Sequence, residues 1–124
     1  MKRVVVTLLT LLLLASPVLA QGAKKRIKFP SGRTTVILKG KATVDTSQVY
    51  VLRARKGQQM TLHLTSPNKN AMCTLFPPVG NPTGETSNVT DWSGELPQTG
   101  DYEIWVSAKK EGRDGSFTLE VTVR

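Results

Sequence analysis

The sequence predicts an all-β chain, folded as a single antiparallel β-sandwich of about seven to eight short strands behind a cleaved leader. Three observations predict it. Beyond residue 20, apolar and polar residues alternate with a period of two through almost every apolar stretch, as strands with one buried face require. Glycine, proline and asparagine punctuate those stretches at short intervals. No stretch after residue 20 carries the apolar spacing of a helix over a useful length. Short strands divided by turn signals build two packed sheets rather than a helix-covered one.

The leader comes first. MKR is followed by VVVTLLTLLLLA and then SPVLA, the order of basic start, apolar stretch and small-residue end that marks a secretory signal peptide. The apolar run is about 12 residues, short of the ~20 that a membrane-spanning helix needs. Residues 1–20 are therefore expected to be removed, leaving a sandwich domain over 21–124. No stable membrane anchor is expected after cleavage.

The strands come next, in chain order. RIKF and TTVILKGKATV supply the first ones. In QVYVLRAR, Tyr50, Leu52 and Ala54 face the core while Arg53 and Arg55 face out. MTLHLT buries Met60, Leu62 and Leu64 and exposes Thr61, His63 and Thr65. AMCTLF is the next strand. YEIWVS turns Tyr102, Ile104 and Val106 inward, and SFTLEVTV does the same with Phe117, Leu119, Val121 and Val123. Turns are expected at Pro30-Ser31-Gly32, Lys56-Gly57, Pro67-Asn68 and Gly112 to Gly115, with neighbouring strands joined as local hairpins. The irregular stretch 77–91 is longer than most connections inside a compact domain, and such loops carry function or move.

LPQTG at 96–100 looks like a wall-sorting signal, yet the residues beyond Gly100 are alternating and charged rather than membrane-length and apolar. It reads as a turn ahead of a strand, with Gly100 free to take a positive φ.

Composition narrows the function. The chain carries 17 Lys and Arg against 9 Asp and Glu. Setting aside Lys2 and Arg3 still leaves a net charge near +6, which favours encounter with acidic partners. No helix-turn-helix, zinc-finger spacing or repeated basic and aromatic pattern points to nucleic acid. Cys73 is the single cysteine, so no internal disulfide forms; its apolar setting suits a buried inert thiol or, alternatively, pairing with a second copy. His63 is the single histidine and sits on a polar face with no nucleophile beside it. No metal-ligand spacing and no phosphate-binding glycine loop occur. Asp91, Glu95, Asp101 and Glu103 read as a solvated acidic group rather than a pair of catalytic carboxylates. No catalytic residue, cofactor or metal is expected, and the chain reads as a binding protein rather than an enzyme.

Two groups of residues carry a resemblance. One is Gly40 with Tyr50, Leu52, Ala54 and the turn Lys56-Gly57-Gln58. The other is Phe76-Pro77-Pro78, Trp92-Ser93-Gly94, Leu96-Pro97 and Gly100-Asp101-Tyr102. Together they resemble the bacterial pre-peptidase C-terminal (PPC-like) β-sandwich domains and the related periplasmic inhibitors of g-type lysozyme. The resemblance implies an exported, secreted or periplasmic, non-catalytic and jelly-roll-like sandwich. It also implies a basic hairpin near the end of the chain that reaches a lysozyme cleft lined by carboxylates. Here that hairpin is SAKKEGRDG, offering Lys109, Lys110 and Arg113.

Trp105 is the other lead, since alternation sends it outward between Ile104 and Val106; an exposed tryptophan anchors protein interfaces or stacks on sugar rings. Arg53 and Arg55 share an outward face and are expected to flank it. The candidate partner-binding set is thus Trp105, Lys109, Lys110, Arg113, Arg53 and Arg55. The partners it suits are an exported protein such as a lysozyme, or an envelope polysaccharide. A purely structural PPC-like role is the remaining alternative.

Overall fold

The computed structural model describes residues 23–124; the leader expected over 1–20 lies outside them. Among the described residues eight strands form: β1 (Lys24–Arg26), β2 (Thr35–Lys41), β3 (Gln48–Ala54), β4 (Gln59–Thr65), β5 (Ala71–Phe76), β6 (Asp91–Glu95), β7 (Gly100–Ala108) and β8 (Ser116–Val123). They make two four-stranded sheets, in the orders β1-β3-β7-β5 and β2-β8-β4-β6. All pairings are antiparallel except β1 with β3. The fold is the sandwich expected from the alternation.

The alternation places the core where the sequence puts it. Tyr50, Leu52 and Ala54 of β3 and Tyr102, Ile104 and Val106 of β7 are buried, as are Met60, Leu62 and Leu64 of β4 and Phe117, Leu119 and Val121 of β8. Each sheet therefore presents one apolar face to the other. Gly40 of β2 lies opposite Phe117, and a Cβ there would stand 2.8 Å from that ring. The missing side chain makes room for an edge-on contact between Phe117 and Tyr50, whose ring centroids are 6.5 Å apart.

One expectation fails. No two strands adjacent in the described chain pair with each other. Every connection, from β1–β2 to β7–β8, leaves one sheet and enters the other, so the local hairpins are arches over the core. The basic segment between β7 and β8 is one of these arches. Alternation reports which face of a strand is buried, and that period is the same in a hairpin and in an arch.

The first strand also begins earlier than RIKF, although Ile27 N–H still donates to Val51 O at 2.8 Å. The long stretch after β5 is stitched down rather than loose. Cys73 and Val89 exchange both backbone hydrogen bonds at 2.8 Å, and a single 3₁₀ turn occupies Gly84–Thr86. Doubling back along β5, the segment gives that edge strand a local partner. Cys73 is buried, and desolvation pushes its thiol up to about 12. It is an inert core residue and is inaccessible to a second copy.

Candidate functional site

The arch between β7 and β8 is built from the backbone outward. At its base, Ala108 N–H donates to Thr43 O at 3.3 Å and Ala42 N–H to Gly115 O at 3.0 Å. The segment joining β2 to β3 thereby holds both feet. Inside the arch sits Asn70, buried although polar. Its side-chain oxygen accepts from Lys110 N–H at 2.8 Å, and its amide nitrogen donates to Lys110 O at 3.1 Å and Arg113 O at 3.3 Å. Lys109 N–H donates to Asn70 O at 3.2 Å. Near the far foot of the arch, Asp114 accepts from the backbone and hydroxyl of Ser116 at 2.9 and 2.6 Å. Those bonds hold its carboxyl below the usual range.

Lys109, Lys110 and Arg113 project from this frame, all exposed. None of the three forms an ion pair among the described residues. A backbone braced in this way has little ordering entropy left to lose.

Trp105 lies on the outer face of the β1-β3-β7-β5 sheet, as alternation requires, but it is half-buried. Its indole N–H donates to Glu103 at 2.9 Å, and its ring lies 5.2 Å from that of Phe76. Glu103 also accepts from Lys24 at 2.9 Å. Part burial pushes its carboxyl up, but the bonds from Lys24 and Trp105 outweigh that and hold it low. One rung pair further on, Arg26 grips Asp101 with both nitrogens at 3.2 and 2.9 Å. The acidic residues of β7 are thus paired to β1 rather than free in solvent.

The six expected residues do not converge. Arg53 pairs in register with Asp101, four residues along β7 from Trp105, and Arg55 lies beyond the end of β3. Arg53 and Arg55 do not flank the indole. β7 runs nine residues from Gly100, opposite Ala54, to Ala108, opposite Ala71. At about 3.3 Å per residue its ends stand roughly 26 Å apart, with the arginines at one and the arch at the other. Alternation fixes a shared face but not the distance along it. Asn70 and Gly115, which shape the arch, carry no sequence signal beyond lying near turns.

His63 has a partner that sequence did not suggest. Register sets it opposite Asp91 on β6 and Glu120 on β8, and its Nδ1 bonds the Asp91 carboxylate at 2.5 Å. That bond, with the carboxylate's charge, raises the imidazole above its ordinary value. In turn His63, together with Thr90, lowers Asp91. The pair is exposed, and the neighbouring Thr90 hydroxyl is spent as a donor to Asp91 at 3.0 Å, so it reads as a surface clasp.

Its pH dependence has a definite sign. The raised imidazole stabilises fully below its ordinary value of about 6.5 and loses that contribution as pH rises through the higher folded value. The lowered carboxyl stabilises above its ordinary value of about 3.9 and fades as pH falls through the folded one. A histidine-resolved NMR titration should place His63 above its ordinary value of about 6.5, and Asp91→Asn should bring it back. The stability change is small because solvent screens the pair.

These features define a class: a two-sheet sandwich crossed by arches, with a braced cationic loop at one pole. Among solved structures it is similar to the Aeromonas hydrophila PliG, a periplasmic inhibitor of g-type lysozyme. Identity is 25%, the TM-score is 0.73, and the match covers 85% of this chain and 98% of that one. The Salmonella Typhimurium PliG shares the fold at 19% identity and a TM-score of 0.67, over 83% of this chain and 99% of its own. The pre-peptidase C-terminal domain of the Bacillus anthracis collagenase shares it at 16% identity and a TM-score of 0.55, covering 82% and 95%. Both relations suggested by the residues are therefore present among structures of this fold. No family model matches the chain, and no curated protein matches it significantly in sequence.

Proposed function

We propose that the chain is an exported, non-catalytic binding protein that inhibits a g-type lysozyme by presenting the β7–β8 arch to an acidic cleft. The observation that carries this reading is the arch itself. Lys109, Lys110 and Arg113 are exposed and form no ion pair among the described residues, on a backbone fixed by Asn70. The likeness to the Aeromonas inhibitor, over almost all of that protein's length, supports the choice of partner.

The test is inhibition of g-type lysozyme by the purified protein, with Lys109→Glu, Lys110→Glu and Arg113→Glu combined in one variant. Reversal of three rim charges should raise the inhibitory concentration at least about 100-fold and abolish its salt dependence. Absence of inhibition by the unmodified protein at micromolar concentration would remove the reading, and so would full inhibition by the variant.

One observation favours a second reading. Trp105 and Phe76 form a half-buried aromatic pair on the outer face of the sheet, with the indole N–H held by Glu103, and aromatic side chains of this kind stack on sugar rings. Retention on envelope polysaccharide that Trp105→Ala abolishes and salt leaves unchanged would select it.

A further inference from the structure

We propose that the pole opposite the arch is a binding site for a phosphate group, centred on Arg33, Arg53 and Arg55. The three arginines line one open hollow of about 520 Å³, together with Gln58, Thr99 and an apolar wall that includes Phe29. None of the three guanidinium groups makes a hydrogen bond or ion pair among the described residues. The facing carboxylate, Asp101, feels the charge of Arg53 but is already gripped by Arg26. The hollow therefore holds three guanidinium groups without an ion-pair partner among the described residues, with only the shared Asp101 carboxylate near Arg53.

The neutral groups point the same way. The Gln58 side-chain oxygen is occupied, accepting from Arg55 N–H at 2.7 Å, and the Thr99 hydroxyl oxygen accepts from Lys56 N–H at 2.9 Å. Their hydrogens have no partner among the described residues. The hollow thus offers guanidinium forks, an amide NH₂ and a hydroxyl as donors, against two side-chain oxygens that each already accept one hydrogen bond. A ligand rich in acceptors suits that set.

A carboxylate brings one charge and about four lone-pair sites. A phosphate ester brings up to two charges and three terminal oxygens, which fits three forks and two neutral donors better. The frame is rigid, since Gly57 N–H donates to Leu96 O at 2.8 Å and Gln58 N–H to Arg55 O at 3.1 Å. The apolar wall keeps water from one side and strengthens each ionic contact.

Calorimetric titration with pyrophosphate, and co-sedimentation with phosphatidic acid vesicles, whose headgroup is a phosphate monoester, separate a soluble phosphate from a lipid headgroup. Binding in either arm supports the site, and the arm that responds identifies the source. Gln58→Glu keeps the acceptor for Arg55 N–H but turns the free donor into a carboxylate; it should weaken binding at least about tenfold, as should Arg53→Gln. Lys39→Gln, which changes net charge like Arg53→Gln but lies elsewhere, should weaken it less than about twofold. Pyrophosphate should also shift the backbone amide resonances of Gly57 and Thr99 in the unaltered protein, so the site is testable even if a variant misfolds. No binding in either arm overturns the proposal, as does an equal loss with Lys39→Gln or citrate binding as tightly as pyrophosphate. Lysozyme inhibition is read separately, so failure here leaves the arch unaffected.

Discussion

Gly115→Ala should lower the unfolding free energy by roughly 3 kcal/mol or more, at or beyond the upper end for overpacking a core. A Cβ at Gly115 would stand 2.0 Å from the carbonyl oxygen of Ala42 and 3.2 Å from the Ala108 side chain. The obstacle is backbone, so rotamer change gives no relief. Movement of either strand foot also stretches the Ala42–Gly115 hydrogen bond of 3.0 Å. In a domain of this size the melting temperature should fall by roughly 12–24 °C. Gly112 on the same arch is the control: its φ is +76° and open space surrounds the position. Gly112→Ala meets only the left-handed backbone penalty of about 1–2 kcal/mol. Thermal and urea unfolding followed by circular dichroism measure both. Equal losses for the two variants would mean that the β2–β3 and β7–β8 connections do not press together.

That close crossing also shows how far the sequence could be read. The inward residues of β3, β4, β7 and β8 were legible because burial on one face imposes a period of two, and a period is a local property. Which strands neighbour one another was not. Tyr50 meets Ile104 across 54 residues of chain and Leu38 meets Leu119 across 81, and no local signal records a partner so distant. The hairpin expectation failed for that reason. The candidate site divided along the same line. Lys109, Lys110 and Arg113 were legible as a cluster because they are close in sequence. The separation of Arg53 and Arg55 from Trp105 depends on the register of β3 against β7. Asn70 was invisible because one buried amide inside a turn looks, in sequence, like any turn asparagine.

Asn70→Ala should therefore have an effect that composition does not suggest, on stability and on function at once. The substitution removes three hydrogen bonds and leaves one N–H and two carbonyls of the arch without their partner. Fully buried orphans cost about 1–3 kcal/mol each, but Lys110 and Arg113 are exposed and water can reach their backbone, so a net loss of about 2 kcal/mol is expected. The melting temperature should fall by roughly 8–16 °C. All three cations remain, and so does the net charge. If charge alone carried the proposed inhibition, it would survive. If the frame matters, the arch must be ordered anew at each encounter, and inhibition should weaken about tenfold through faster dissociation, with association little changed. Stopped-flow kinetics against g-type lysozyme, run well below the lowered melting temperature, separates the two rates. A variant that loses stability yet dissociates as slowly as the unmodified protein would mean that Asn70 serves the fold alone, and that the arch needs no bracing to bind.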